Sequence, residues 1–151
     1  MLQSAAWARA QGAPDPLVAA ALLHDIGYFL EPQSEDSIAE GRDFEHEALG
    51  AAWLSRAFGE DVTVPIALHV QAKRYLCAVE PGYYERLSDA SKRSLALQGG
   101  VMGTDQAERF AQGAAFEAAL FLRRCDDRGK DAAFDPAPLE HYRDLLERCL
   151  R

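Results

Sequence analysis

The chain has 151 residues, a length that suits one domain with a single hydrophobic core. Its 16 basic and 24 acidic residues give a formal net charge of −8, and no Lys/Arg cluster suggests a phosphate-backbone surface, so a nucleic-acid partner is not expected. The longest apolar run, 17–23, is far shorter than the ~20 residues of a membrane span. Three cysteines without CxxC spacing favour reduced thiols, so we expect one cytoplasmic domain, 1–151, with no membrane partner.

Apolar residues recur every three or four positions and alanine and leucine dominate, which predicts an all-α fold. A first helix over 2–11 ends before Gly12, and Pro16 opens a second, almost entirely apolar helix that reaches about Phe29. The acidic segment 30–42 has no periodicity and is predicted to be a solvated connector, with an active-site lid as the alternative. Further helices are predicted over 44–58, 66–78, 81–87, 88–97, 114–125 and 135–151.

Histidine is rare in this chain, and its placement is the main functional signal. Three of the four histidines, His24, His46 and His69, lie on different predicted helices, where a buried imidazole needs a partner. Asp25 follows His24 directly, and Asp126 ends another helix. Imidazole and carboxylate together suit iron, manganese, zinc or cobalt, and a set without cysteine favours a catalytic over a structural site. By itself the His-Asp dipeptide is more typical of a core histidine bonded to a neighbour.

Four longer strings carry a resemblance to the HD-domain superfamily that extends over nearly the whole chain. They are 21–27 (ALLHDIG), 69–76 (HVQAKRYL), 91–100 (SKRSLALQGG) and 122–127 (LRRCDD). The chain is most similar to the mixed-valent di-iron oxygenase branch, typified by 2-amino-1-hydroxyethylphosphonate dioxygenase. The resemblance implies a single-domain HD-type helical bundle.

The resemblance also implies a set of metal ligands. His24 and Asp126 would bind one ion, His46 and His69 the other, and Asp25 would bridge the two. The implied metal is iron, with manganese, cobalt or magnesium as alternatives.

A further histidine ligand of that family lies ahead of its first helix, where this chain begins at Met1. Either the start lies upstream, or the first site has one ligand fewer and holds its ion weakly or not at all. In the second case a mononuclear site at His46, His69 and Asp25 would remain.

Cations beside the predicted ligands indicate a site for an anion. Lys73 follows His69 by four residues and Arg123 precedes Asp126 by three, so each shares a helix face with a ligand. Lysine and arginine beside a metal suit an oxyanion, most naturally a phosphonate or phosphate. The resemblance implies that Lys73, Ser91 and Arg123 bind the substrate phosphonate. Surface ion pairs for the two cations, and a Ser91 that bonds its own helix, are the open alternatives.

Three functions follow from these observations. The resemblance implies an iron-dependent oxygenase acting on a small organophosphonate or related anion. The alternatives are a metal-dependent phosphohydrolase, the commonest activity of the superfamily, and a non-catalytic metal-binding module that lacks the first ligand. Tyr28 occupies a position where characterised oxygenases have a histidine, so the resemblance does not specify the substrate. His141 has no partner at ligand spacing and is predicted to lie on the surface.

Overall fold

A computed structural model describes residues 1–30, 43, 45–131 and 133–151. These residues form ten α-helices and one 3₁₀ turn, which confirms the all-α prediction. The predicted connector 30–42 lies, apart from Leu30, outside the described residues. The elements are α1 (Leu2–Ala10), α2 (Asp15–Leu23), α3 (Gly27–Leu30), α4 (His46–Leu54), α5 (Glu60–Val79), α6 (Tyr83–Arg86), α7 (Asp89–Leu97), α8 (Thr104–Ala111), α9 (Phe116–Arg128), the 3₁₀ turn Leu139–Tyr142 and α10 (Arg143–Cys149).

The 20-residue helix α5 is the centre of the bundle and packs against α2, α4 and α9. Helix α2 is buried almost all round, as its continuous apolar sequence predicts. Leu54 on α4, Ile66 on α5 and Leu122 on α9 are each at most 1% exposed and belong to one apolar core. Burial of such a side chain contributes about 1.5–3 kcal/mol, so these contacts hold the helices that carry the predicted ligands.

A smaller apolar cluster attaches α6 and α7 to the second half of α5. Its buried members are Leu76, Tyr83, Leu87 and Leu95. Ser88 caps α7, because its hydroxyl accepts a hydrogen bond from the backbone N–H of Ser91 at 3.2 Å. The start of α7 is therefore fixed beside the central helix.

Helix α2 ends at Leu23 and does not continue through Phe29 as predicted. His24, Asp25 and Ile26 form a turn in which the N–H of Ile26 donates to the carbonyl of Leu23 at 3.0 Å. This tighter hydrogen bond replaces the i→i+4 pattern, which the apolar sequence alone does not reveal. Since the chain turns here, two consecutive side chains can face one site.

Other helix boundaries differ from the predicted ones where the local sequence signal was misleading or weak. Helix α5 begins at Glu60, and Pro65 lies inside it, although we predicted that the helix starts after Pro65. Helix α4 spans only His46–Leu54, and the last segment is a 3₁₀ turn followed by α10, not one helix from 135. Helix α8 was not predicted, because its sequence, TDQAERFA, is mostly polar and gives only a weak apolar period.

The cysteines Cys77, Cys125 and Cys149 form no disulfide, as predicted from their spacing. None of the helices described above combines the length and the apolar character that crossing a bilayer requires.

Candidate metal centre

The five predicted ligands come together at one place in the bundle. His24 and Asp25 lie in the turn after α2, His46 is the first residue of α4, His69 lies in the middle of α5, and Asp126 lies in the last turn of α9. The three histidines are 1–4% exposed. By contrast, His141 is exposed, as predicted.

The ligand atoms form two adjoining groups that share Asp25. In the first group, Nε2 of His24 lies 3.2 Å from Oδ2 of Asp25 and 3.5 Å from Oδ1 of Asp126. In the second, the Nε2 atoms of His46 and His69 lie 3.5 and 3.9 Å from Oδ1 of Asp25 and 3.3 Å from each other. Each oxygen of Asp25 therefore faces a different group, the arrangement that a bridging carboxylate between two cations requires.

Two of the imidazoles are held in the tautomer that a metal needs. Nδ1 of His24 lies 3.0 Å from the carbonyl oxygen of Ala21, and Nδ1 of His69 lies 2.8 Å from that of Ile66. Because a carbonyl only accepts, each Nδ1 carries a proton, and in the neutral ring each Nε2 therefore presents its lone pair to the site. The buried Nε2 of His24 has no hydrogen bond, although two carboxylates lie near it. A cation at that point would satisfy it, so these residues fit a metal ion.

The electrostatics of the site lead to the same conclusion. Burial opposes protonation of His24, yet the carboxylates of Asp126 and Asp25 raise its pKa from 6.5 to about 9. Burial and the neighbouring His24 and His46 lower the pKa of His69 to about 3. Although burial opposes ionisation, the imidazole partners hold the pKa of Asp25 far below its usual range. The negative charge of the carboxylates thus stabilises a positive charge at the centre, which a proton on His24 or a metal ion can provide.

Close packing positions His46. A Cβ on Gly27 would lie 2.0 Å from the carbonyl oxygen of His46, so only glycine allows α3 to approach the start of α4 this closely. Glu45, just before the helix, has a left-handed backbone with φ of 50°. The ring of Tyr28 stacks on the imidazole at 4.3 Å between centroids, and Oε2 of Glu47 lies 3.3 Å from Nδ1.

A cavity of about 250 Å³ adjoins the ligands, and all three predicted substrate-binding residues line it. Lys73 projects from α5, Ser91 from α7 and Arg123 from α9. Further residues on the cavity wall are Tyr28, Arg93, Ser94, Gln98 and Lys130.

Lys73 is a buried cation and not a surface charge. It is 4% exposed, and its Nζ donates to Oγ of Ser94 at 3.0 Å and to Oε1 of Gln98. Burial, together with the positive charge of Arg123, lowers its pKa from 10.5 to about 8. Since these two partners are uncharged, the ammonium keeps its charge available for an anion in the cavity.

Arg123 and Ser91 each line the cavity and also form hydrogen bonds to neighbouring residues. Arg123 is 3% exposed and donates to Asp126 at 2.6 Å and to Asp127. The hydroxyl of Ser91 accepts from the hydroxyl of Ser88, the N-cap of α7, at 3.0 Å.

The sequence reasoning missed several residues on the wall. Ser94 and Gln98 follow Ser91 by three and seven positions, so helical spacing within the 91–100 string could have found them. Lys130, whose Nζ lies 3.4 Å from Oδ1 of Asp126, follows that residue by four positions, although it lies beyond the end of α9.

Comparison with known proteins agrees with this architecture. The HD domain family model matches residues 1–95. The chain is 43% identical to the hydroxymethylphosphonate dioxygenase of Gimesia maris, over 99% of this chain and 75% of that protein. It is 37% identical to the [1-hydroxy-2-(trimethylamino)ethyl]phosphonate dioxygenase (glycine-betaine-forming) of Leisingera caerulea, over 99% of this chain and 76% of that protein. An uncharacterized protein of Acanthamoeba polyphaga mimivirus, L432, is 34% identical over 97% of this chain and 68% of that protein.

The family match and these identities confirm the predicted resemblance to HD-domain proteins and to their phosphonate-oxidising branch. The bundle brings candidate ligands together from four separate parts of the chain, which agrees with that assignment. The chain therefore belongs to the HD-domain family.

Proposed function

We propose that this chain is an iron-dependent oxygenase that cleaves the carbon–phosphorus bond of a small 1-hydroxyphosphonate. The observation that carries the proposal is the pair of ligand groups sharing Asp25 beside a cationic cavity. The names of two relatives support the substrate class, since both are dioxygenases of phosphonates with a hydroxyl on the carbon bonded to phosphorus. One of them forms glycine betaine, which is a carboxylate.

The proposed net reaction balances without a further reductant. It is R–CH(OH)–PO₃²⁻ + O₂ → R–COO⁻ + HPO₄²⁻ + H⁺. The C–H and C–P bonds break, carbon gains bonds to oxygen, and the electrons lost by carbon reduce dioxygen. Phosphorus leaves the carbon as phosphate.

The donor set supports iron at both positions. His24, Asp126 and Asp25 would hold one ion, and His46, His69 and Asp25 the other. Imidazole and carboxylate ligands suit iron, and also manganese or cobalt. Bound iron supplies the one-electron redox chemistry that dioxygen requires.

The cavity residues bind and orient the phosphonate. Lys73 offers a charge held in place by Ser94 and Gln98, and the Nη atoms of Arg123 retain N–H groups beyond those given to carboxylates. Both cations are 3–4% exposed, so they act on the anion with little screening by water. The ring of Tyr28, stacked on His46, closes part of the space and favours a small substituent on the reacting carbon.

The test is oxygen uptake by the iron-loaded protein with hydroxymethylphosphonate as substrate. We expect equal amounts of oxygen consumed and phosphate released, and little turnover in Lys73→Gln. The exposed histidine provides a matched control, since His141→Gln should keep wild-type activity. Phosphate release from phosphomonoesters without oxygen would support a phosphohydrolase instead, and metal binding without turnover of a panel of phosphonates would support a non-catalytic module.

A further inference from the structure

Tyr83 and Asp127 complete a closed ring of hydrogen bonds with Arg123, behind the candidate metal centre. Nε of Arg123 donates to the hydroxyl of Tyr83 at 2.8 Å, and that hydroxyl donates to Oδ2 of Asp127 at 2.6 Å. Nη2 of Arg123 donates to Oδ1 of the same carboxylate. The ring connects α6 to α9, and Tyr83 and Arg123 are both 3% exposed.

Further contacts hold Tyr83 in place. Arg86 and Arg124 lie over the ring of Tyr83 at 5.8 and 5.6 Å from its centroid, and Glu80 pairs with both arginines. Tyr83 also packs in the apolar cluster around Leu76. The phenol hydroxyl is therefore a fixed point against which the guanidinium of Arg123 is held.

This arrangement directs one nitrogen of Arg123, Nη1, at the candidate ligand Asp126. Nη1 donates to Oδ2 of Asp126 at 2.6 Å, while Oδ1 of Asp126 faces Nε2 of His24. An arginine with a free fork binds a carboxylate through two nitrogens and both oxygens. Because Tyr83 and Asp127 hold the edge of the guanidinium that carries Nε and Nη2, its plane is fixed and only Nη1 meets Asp126, at Oδ2. Oδ1 faces Nε2 of His24, with Nζ of Lys130 at 3.4 Å.

We infer that Tyr83 and Asp127 are positioning residues that, through Arg123, select which oxygen of Asp126 is offered to a metal ion. The inference rests on the proposed metal centre. Removal of the phenol hydroxyl or of the Asp127 charge releases one contact on that edge, so that the guanidinium can turn and its Nη1 and Nη2 can take both oxygens of Asp126. The His24 group then loses affinity for its ion, whereas the His46–His69 group keeps its own.

The test is an anaerobic Mn²⁺ titration in which free Mn²⁺ is measured by electron paramagnetic resonance. For the wild type we expect two bound ions per chain. Tyr83→Phe and Asp127→Asn should keep one site unchanged and weaken the other by about 10–100-fold, the effect usual for groups that orient a ligand. Tyr84→Phe is the matched control, because this neighbouring tyrosine is 42% exposed and is expected to bind like the wild type.

The same substitution made in a His24→Ala variant identifies which of the two metal sites depends on Tyr83. In His24→Ala only the His46–His69 group remains, and adding Tyr83→Phe should change its affinity less than twofold. If Tyr83→Phe or Asp127→Asn kept wild-type affinities at both sites, this inference would be overturned but the proposed metal centre would not. Equal weakening of both sites would have the same consequence. A wild-type chain that binds no Mn²⁺ would overturn the proposed metal centre as well.

Discussion

Replacing Gly27 by alanine tests how closely the fold determines the position of His46. The new Cβ would lie 2.0 Å from the carbonyl oxygen of His46, whereas ordinary contact begins at 3.4 Å. The atom it meets belongs to the backbone of the predicted ligand, so no side-chain rotation relieves the clash. Helix α3 and the start of α4 must move apart, and the imidazole moves with the backbone.

The size of the effect follows from that displacement. Forcing an extra methyl group into a packed contact costs about 1–3 kcal/mol. In a protein of this size each kcal/mol lowers the Tm by roughly 2–4 °C, so we expect a decrease of about 2–12 °C. A shift of about 1 Å at a reacting group costs on the order of 100-fold in rate, and we expect a loss of that order in turnover.

The assay compares Gly27→Ala with a glycine that has room for a methyl group. A Cβ on Gly103 meets nothing within 4 Å, and its φ of −72° suits alanine. Gly103→Ala should stay within about 1 kcal/mol of the wild-type stability and keep Mn²⁺ affinity. If Gly27→Ala matched Gly103→Ala in both Tm and metal affinity, the reasoning about this contact would be refuted.

Chelation and pH give two further predictions. Removing the metal with EDTA should lower the Tm of the wild type and of His141→Ala, because a metal ion at a concentration of 100–1,000 times its Kd stabilises the fold by about 3–4 kcal/mol. The decrease should be smaller in His69→Ala. Equal decreases in all three proteins would contradict the assignment of His69 as a metal ligand. As pH rises through about 8, Lys73 loses its charge and kcat/KM for a phosphonate should fall, a decrease that Lys73→Arg should remove. The same depressed pKa predicts the opposite trend for stability: the unfolded chain binds more protons between pH 8 and 10.5, so the contribution of Lys73 to the free energy of unfolding rises over that range.

Sequence patterns pointed directly to the histidines of the candidate site, which the structure brings together. His24, His46 and His69 are rare residues in segments that otherwise favour burial, so their chemistry was conspicuous before any fold was known. The bridging role of Asp25 was implied by the family resemblance and not by the local sequence pattern. It depends on the turn after Leu23, and the uninterrupted apolar sequence of α2 concealed that turn.

The residues behind the ligands could not be predicted, because tertiary packing brings them together. Tyr83 and Asp127 are 44 residues apart and meet only where α6 packs near α9. Pro65 shows the limit of a local rule, since we took it to precede the helix although α5 runs through it. Ser94 and Gln98 were within reach, because they share a helical face with Ser91.

The most direct test of the account is the number of iron ions held by wild type, His46→Ala and Asp25→Ala after anaerobic loading and desalting. The central claim is that one carboxylate serves two ion sites, each oxygen of Asp25 facing one group. We predict two ions per chain in the wild type, one in His46→Ala, and weak binding at both sites in Asp25→Ala. One ion in the wild type, or an Asp25→Ala protein that loses a single site, would contradict the shared centre.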